Sequence, residues 1–233
     1  MIDKNQFGFG ILCGLILMCS SAWSQNKTAI DTTFQNDYYK IKRSQFEQLP
    51  NSRGEIVFLG NSITERVSWA ELFHSGKIIN RGIGGDICWG LYDRLDEVLS
   101  SKPRKIFLLI GINDIGRGIS QKLILEKYEA IIKKVKHDSP RTRLFIESVL
   151  PINEDIIWYD YMKGKGHLIP LLNKGIKSLA CKYDLPFVDL YTPFCDENNK
   201  LKTELTYDGL HLEGAGYLLI KKIYKDNNIK VTK

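Results

Sequence analysis

The chain has 233 residues, a formal net charge of +6 and 43% hydrophobic residues. A chain of this length can bury a substantial core without disulfide staples. Its basic residues are spread along the chain rather than concentrated on one stripe with interleaved aromatic residues, so a nucleic-acid-binding protein is not expected.

Residues 1–24 predict a secretory signal peptide. One Lys lies near the start, an apolar run extends from Phe7 to Cys19, and Ala22 and Ser24 form an A-x-S cleavage pattern. The mature chain would begin at residue 25 and be periplasmic or secreted. The apolar run is shorter than the roughly 20 residues that a membrane span needs, so stable membrane insertion after processing is not expected. A retained anchor and lipid attachment at Cys19 are the alternatives.

Three cysteines remain after processing: Cys88, Cys181 and Cys195. An odd number permits at most one disulfide beside a free thiol, and the spacing does not choose the pair. Small buried apolar residues are the simpler interpretation. Neither a C-x-x-C nor an H-E-x-x-H pattern occurs, so neither a metal site nor a cofactor is expected.

Residues 25–53 predict an exposed lead-in with a helix that ends near Pro50. A domain over residues 54–233 follows, in which short apolar runs alternate with amphipathic stretches. The apolar residues of these runs are nearly continuous, as in strands that are covered on both faces. The predicted strands are residues 55–60, 77–82, 105–111, 143–150 and 186–190.

The stretches between these strands predict helices. In "LILEKYEAIIKKV", apolar residues recur at steps of three and four and form one face: Leu125, Tyr128, Ile131, Ile132 and Val135. Alternation of strands and helices predicts a parallel sheet with right-handed crossovers. We therefore expect an α/β protein, a three-layer doubly wound fold with about five parallel strands.

Polar residues follow the predicted strands at the edge where ligands collect in such a fold. Ser62 follows the first strand, a glycine loop at residues 82–86 follows the second, and Asn113 follows the third. Asp208 and His211 come just before the last helix. Four separate segments thus bring a hydroxyl, a glycine loop, an amide and an Asp/His pair to one edge.

These residue types suit acyl transfer. A serine hydroxyl is a weak nucleophile without a base, and His211 is the expected base. Asp208 lies three residues earlier, where a tight turn lets its carboxylate orient the imidazole, as a Ser–His–Asp triad requires. His74 and His137 lie at predicted helix ends, and His167 lies in a loop without an acid at comparable spacing.

The transition state of ester hydrolysis develops an oxyanion that needs fixed donors. The backbone N–H of Ser62, a backbone N–H of the glycine loop and the side-chain amide of Asn113 are candidates. Taken singly, the glycines are more often part of a turn and a residue such as Asn113 is more often a helix cap.

Four blocks, "FLGNSITE", "NRGIGGD", "GIND" and "DGLHL", resemble in order and spacing those of the SGNH (GDSL-like) esterase and lipase family, and its platelet-activating factor acetylhydrolase branch in particular. The resemblance implies a flavodoxin-like α/β/α fold and metal-free hydrolysis through an acyl-enzyme. Carried over by position, it implies a Ser62, Asp208 and His211 triad, with oxyanion donors from Ser62, Gly85 and Asn113.

Two positions depart from the family pattern. Asn61 stands where Asp is usual, which removes a charge beside the nucleophile. Glu213 stands where Asn often follows the histidine, which bears on how the last helix is capped.

The sequence thus predicts an exported serine esterase that removes short acyl groups, acetyl above all, from a carbohydrate or another small ester. A lysophospholipase or thioesterase of the same family is one alternative, and a noncatalytic carbohydrate-binding protein on this scaffold is another. Four aromatic residues are candidate substrate contacts, for stacking on a sugar or for binding an acyl group: Trp89, Trp158, Tyr159 and Tyr161. The last three lie in the irregular stretch "NEDIIWYDYMKGKGH", for which ordinary packing of a long loop is the alternative.

Two rival classes fit less well. A dinucleotide-binding fold is not expected, because Ile87 stands where the third glycine of G-x-G-x-x-G would be. A metal-dependent phosphoesterase could use Asp86, Asn113, Asp208 and His211 as ligands, but the clustered histidines and carboxylates of a two-metal site are missing.

Overall fold

One parallel sheet organises the protein, and helices cover both of its faces. The computed structural model describes residues 30–232. The five strands lie in the order β2-β1-β3-β4-β5 and every neighbouring pair is parallel. The predicted three-layer α/β fold is therefore confirmed. The strands are β1 Ile56–Gly60, β2 Ile78–Gly82, β3 Lys105–Leu109, β4 Arg143–Glu147 and β5 Phe187–Val188.

The helices alternate with the strands, as the periodicity predicts. Their bounds are α1 Asp37–Gln48, α2 Ser62–Glu65, α3 Trp69–Leu72, α4 Cys88–Asp93, α5 Leu95–Ser100, α6 Ile112–Gly116, α7 Gln121–Asp138, α8 Leu168–Lys182, α9 Tyr191–Phe194 and α10 Gly214–Asp226. Two 3₁₀ turns, Asp160–Met162 and Thr203–Leu205, lie in the loops.

Alternate strand residues serve two separate cores, because successive side chains of a strand point to opposite faces. On one face, Val57, Leu59 and Ile106 pack under α4, α5, α7 and α8. On the other face, Phe58 lies opposite Phe107 across β1 and β3, with ring centroids 4.8 Å apart, and this face packs under α3 and α10.

β1 and β2 end at the predicted residues, whereas β3, β4 and β5 end two or three residues earlier than predicted. After β4 and β5, side chains take over the backbone hydrogen bonds. The Asn173 side chain accepts from the Val149 N–H and donates to the Val149 carbonyl, both at 2.8 Å, just after β4. The Ser148 hydroxyl accepts from the Leu190 N–H just after β5. The apolar stretches therefore continue past β4 and β5 as hydrogen-bonded loops.

The predicted helix over "CWGLYDRLDEVLSS" is two helices, α4 and α5, with a break at Arg94. The Arg94 side chain is fully buried and turns toward the sheet.

The predicted signal peptide and its cleavage site lie outside the described residues. Within residues 30–232, none of the helices is long and apolar enough to cross a membrane. Cys88, Cys181 and Cys195 are all free thiols. Cys88 is buried in the core as predicted, but the same interpretation is wrong for Cys181, which is exposed on α8, and Cys195 is only half-buried.

Candidate active site

The predicted site residues meet at the carboxyl edge of the sheet, beside the point where strand order reverses between β1 and β3. Ser62 is the first residue of α2, directly after β1. Gly85 lies in the loop after β2, and Asn113 lies in α6 after β3. Asp208 and His211 lie in the loop before α10. Ligands collect at such switch points in open parallel sheets.

Ser62, His211 and Asp208 form one continuous hydrogen-bonded chain. Ser62 Oγ lies 2.9 Å from His211 Nε2, and His211 Nδ1 lies 2.6 Å from Asp208 Oδ2. Ser62 is 8% exposed, His211 4% and Asp208 0%, so Ser62 and His211 reach the cleft and the carboxylate is enclosed. This order of contacts is the one that a nucleophile, its base and the group that orients the base require.

A tight turn fixes the carboxylate. Asp208 Oδ1 accepts from the backbone N–H groups of Leu210 at 3.0 Å and His211 at 2.7 Å, which leaves Oδ2 for the imidazole. Gly209 has φ +80°, and a Cβ there would lie 2.5 Å from the Asn153 carbonyl oxygen. A larger residue would therefore push the turn away from the loop that supports it.

The electrostatics favour a neutral base beside a charged acid. Burial lowers the pKa of His211 below its ordinary value, although the contact with Asp208 opposes this and the charge of Arg66 adds to it. Burial alone would raise the pKa of Asp208, but hydrogen bonds from His211 and Leu210 lower it below its ordinary value. At neutral pH the pair is thus a carboxylate and a neutral imidazole.

The three predicted oxyanion donors belong to residues that line the same cleft: Ser62, Gly85 and Asn113. The Ser62 N–H opens α2, where helix N–H groups have no partner within the helix. The Gly85 N–H makes no hydrogen bond to another group in the described range, whereas the Gly84 N–H donates to Glu65 Oε2 at 2.8 Å. Asn113 Nδ2 donates to the Asp86 carbonyl at 2.9 Å, and its amide lines the same cleft.

Gly85 adopts φ +75°, the left-handed region that favours glycine, and nothing lies within 4 Å of a Cβ built there. The conformation and the open space in front of it suit a backbone donor that substrate must approach closely.

Glu65 connects the glycine loop to α1. Its carboxylate accepts from the Gly84 N–H and the Tyr38 hydroxyl, the latter at 2.6 Å, and pairs with Lys42 Nζ at 2.9 Å. The spacing Ser-x-x-Glu at residues 62–65 is typical of a helix capping box, but here Glu65 bonds the loop after the neighbouring strand.

The side chain of Asn61 caps α2, because its Oδ1 accepts from the Ile63 N–H at 3.0 Å. The uncharged side chain of Asn61 therefore caps α2 without placing a negative charge beside Ser62.

A buried ion pair joins the loop to the ends of β1 and β2. Arg94 Nε lies 2.9 Å from Asp86 Oδ2, and the two side chains are 1% and 0% exposed. The same guanidinium donates to the Arg81 carbonyl at 2.8 Å and the Gly60 carbonyl at 3.0 Å. One side chain therefore fixes the spacing between the strand that leads to Ser62 and the loop that carries Gly85.

The cleft over Ser62 has a volume of about 540 Å³ and an aromatic wall. Tyr159 and Tyr161 from the irregular stretch line it, as does Tyr38 from α1. Neither predicted tryptophan is among the lining residues. Trp89 packs against the core with Lys127 Nζ 5.3 Å from its ring centroid, and Trp158 is 68% exposed. The Trp158 ring meets the edge of the Tyr207 ring, which in turn stacks on that of His211, and the Trp158 backbone N–H donates to the Asp208 carbonyl.

Sequence reasoning missed four residues of the site: Tyr38, Glu65, Arg66 and Arg94. The Ser-x-x-Glu spacing is the one local signal among them, and that spacing usually indicates a helix cap.

Glu213, the other departure from the family pattern, is the N-cap residue of α10, and its side chain makes no capping hydrogen bond. Within residues 30–232, no three His, Cys, Asp or Glu side chains are grouped to hold a metal ion.

A family model described as GDSL-like Lipase/Acylhydrolase matches residues 58–219. The chain is 26% identical over 169 residues to platelet-activating factor acetylhydrolase IB subunit alpha1 of Bos taurus, covering 70% of each chain. Among solved structures, a Streptococcus pneumonia protein whose name refers to platelet activating factor is 34% identical with a TM-score of 0.75, covering 82% of this chain and 92% of that chain. A GDSL-like lipase from Bacteroides thetaiotaomicron is 25% identical with a TM-score of 0.70, covering 81% of this chain and 96% of that chain. The chain therefore belongs to the GDSL-like lipase/acylhydrolase family and is a carboxylic ester hydrolase.

Proposed function

We propose that the protein hydrolyses short-chain carboxylic esters, acetyl esters above all, with Ser62 as nucleophile. The observation that carries the proposal is the 2.9 Å contact between Ser62 Oγ and His211 Nε2, continued by the 2.6 Å contact between His211 Nδ1 and Asp208. A serine hydroxyl aligned with a neutral imidazole is activated for attack on a carbonyl.

In the proposed reaction, Ser62 Oγ attacks the ester carbonyl while its proton passes to His211 Nε2. The carbonyl oxygen becomes an oxyanion, which accepts hydrogen bonds from the Ser62 N–H, the Gly85 N–H and Asn113 Nδ2. Collapse of this intermediate breaks the bond to the alcohol, which leaves with the proton from His211. Water then attacks the acyl-enzyme by the same route, releases the acid and restores the Ser62 hydroxyl.

The identity of a relative supports a small acyl group, and Tyr159 and Tyr161 line the cleft that would hold the ester. The Bos taurus relative is named as an acetylhydrolase. For the alcohol part we propose a carbohydrate or another small polar alcohol, because polar side chains of Arg66, Tyr38 and Glu65 lie at the cleft.

Initial rates on p-nitrophenyl acetate, butyrate and octanoate test this proposal with wild type and Ser62→Ala. We expect the acetate to be the best substrate and Ser62→Ala to lose activity on all three while remaining folded by circular dichroism. Ser178→Ala is the matched control, because the Ser178 hydroxyl bonds only the Lys174 carbonyl on the surface of α8. Activity that survives in Ser62→Ala would exclude Ser62 as nucleophile, and a preference for octanoate would point to a lysophospholipase.

We also propose that the protein is exported, with cleavage after Ser24. The support is the charged start, the apolar run and the small residues at positions 22 and 24. Intact-mass measurement of the protein from the cell envelope or medium should give a chain that begins at Gln25. A chain that retains residue 1, found with the cytoplasmic fraction, would contradict the proposal.

A further inference from the structure

Arg66 is an exposed cation that lines the cleft over Ser62. It lies one helical turn after Ser62, and its backbone N–H donates to the Ser62 carbonyl at 3.1 Å. Its side chain lines the cleft together with Ser62 and His211. Within the described part of the chain, Arg66 forms no ion pair with a carboxylate.

The two carboxylates closest to the nucleophile are occupied by other groups. Glu65 binds Lys42, the Tyr38 hydroxyl and the Gly84 N–H. Asp208 is fully buried and is held by His211 and two backbone N–H groups. The charge of Arg66 is therefore available to a ligand rather than consumed by the fold.

A tyrosine holds the guanidinium in place. Arg66 Nη1 donates to the Tyr207 hydroxyl, and the Tyr207 ring stacks on the imidazole of His211 with an interplanar angle of 15°. A guanidinium carries several N–H donors in a rigid plane, so its contacts with the hydroxyls of Tyr207 and Tyr159 leave others for the cleft. The side chain is thus positioned before any ligand arrives.

The position of Arg66 relative to the triad indicates which part of the ester it meets. The carbonyl oxygen of a bound ester points toward Gly85 and Asn113, whereas the leaving alcohol must face His211 to receive its proton. Arg66 lies on the His211 side through Tyr207. It therefore faces the alcohol part and not the acyl group.

We propose that Arg66 binds an anionic group on the alcohol part of the ester, a carboxylate or a phosphate, so that the enzyme prefers acyl esters of acidic alcohols. Planar N–H donors match the oxygens of both groups, and such charge-assisted hydrogen bonds are the stronger kind. This assignment rests on the proposed function, because it uses Ser62 and His211 to orient the ester.

A matched pair of chromogenic esters tests the assignment. p-Nitrophenyl acetate is the neutral member, and its analogue with a carboxylate beside the nitro group is the anionic member. The ratio of their kcat/KM values within one protein sample does not depend on how much of the sample is folded. We expect wild type to prefer the anionic ester, and the preference to fall with added salt.

In Arg66→Gln the ratio should fall about tenfold, the lower end of what a hydrogen bond to a charged group contributes, since this side chain is exposed. Arg66→Lys should retain part of the preference, because it keeps the charge without the planar donors. Arg141→Gln removes an equal charge from an exposed position in another cleft and should leave the ratio as in wild type.

A second pair of assays distinguishes the two anions. Acetate release from acetylated galacturonate beside acetylated galactose, and from acetylglycerol phosphate beside acetylglycerol, shows whether a carboxylate or a phosphate gives the larger Arg66-dependent ratio. A wild-type enzyme indifferent to charge, or a ratio unchanged in Arg66→Gln, would overturn the assignment. If Ser62→Ala still abolishes hydrolysis of the neutral ester in that case, the proposed function stands and only the Arg66 assignment fails.

Discussion

The Tyr159 hydroxyl donates a hydrogen bond to Asp208 Oδ2 at 3.2 Å and lies 3.3 Å from His211 Nδ1. It therefore touches the junction between the acid and the base. The loop that carries Tyr159 is tied to the same turn, because the Trp158 N–H donates to the Asp208 carbonyl at 3.1 Å. The Tyr159 side chain thus lines the cleft, and its hydroxyl shares with His211 the negative charge of Asp208 that stabilises the imidazolium form of His211.

This contact predicts a change in the pH dependence of activity. Because burial lowers the pKa of His211, kcat/KM in wild type should rise from the acid side with a midpoint below about 6.5, the ordinary value for histidine, and stay level at neutral pH. Tyr159→Phe removes a donor from Asp208 and leaves more of its charge to the imidazolium, so the pKa of His211 should rise.

The acid limb of the Tyr159→Phe profile should therefore lie at higher pH than in wild type, as measured with p-nitrophenyl acetate. Tyr183→Phe is the control, because the Tyr183 hydroxyl bonds Glu129 on the surface and not the triad. If the acid limb of the kcat/KM profile has the same midpoint in Tyr159→Phe as in wild type, the Tyr159 hydroxyl does not share the Asp208 charge.

Asn113→Ala should lower kcat by about 10²- to 10³-fold, the loss typical of one side-chain donor in an oxyanion hole. KM should change little, since the donor acts on charge that develops in the transition state. Asn173→Ala is a matched control, because Asn173 is also buried and bonds only the Val149 backbone after β4. It should lower stability and keep kcat. Equal effects of the two substitutions on kcat would assign Asn113 a structural role only.

The buried pair of Arg94 and Asp86 predicts a strong effect on stability. Arg94→Leu leaves the Asp86 carboxylate buried without its partner, which should lower the free energy of unfolding by about 3–5 kcal/mol. The pKa of Asp86 is raised by burial to about 6, opposed by Arg94, so urea denaturation should be measured well above that pH. Arg43→Leu breaks half-buried pairs with Asp93 and Glu47 near the surface and should cost less, about 1 kcal/mol. If Arg94→Leu and Arg43→Leu lowered the free energy of unfolding equally, the cost would not come from leaving the Asp86 charge buried without a partner.

The sequence predicted the parts of the site that depend on local pattern and on one rule of topology. Ser62 and Asn113 directly follow apolar strands, and the carboxyl ends of parallel strands share one edge of a sheet. The spacing of Asp208 and His211 lies within a single turn. These relationships need no knowledge of which strands are neighbours, so they could be read from the chain.

The supporting contacts could not be read in this way, because each depends on distant segments meeting. Glu65 reaches Gly84 only because β2 lies beside β1 in the sheet. Arg94 lies in a stretch with continuous helical periodicity, yet its bonds to Gly60 and Asp86 accompany a break between α4 and α5. Trp89 follows the glycine loop closely in sequence, but it lies outside the lining of the cleft and packs against the core.

Glu147, at the end of β4, predicts how stability depends on pH. Its carboxyl group is buried and accepts from the Tyr224 hydroxyl. Burial raises the pKa of Glu147 to about 7, although the hydrogen bond from Tyr224 opposes the shift. Between about pH 4.5 and pH 7 the folded state therefore holds a proton that the unfolded chain has released, so the contribution of this group to stability falls as the pH rises through that window.

Glu147→Gln cannot ionise, so it should remove this part of the pH dependence. Relative to wild type, the free energy of unfolding of the variant should increase between about pH 5 and about pH 8, as measured by urea denaturation at both values. Burial also raises the pKa of Asp114 to about 6, so the free energy of unfolding of both wild type and variant also falls through the titration of Asp114 as the pH rises. Glu71→Gln, at an exposed position of α3, should follow wild type at both values. If Glu147→Gln runs parallel to wild type as well, the carboxyl group has the same proton affinity in the folded and unfolded chain.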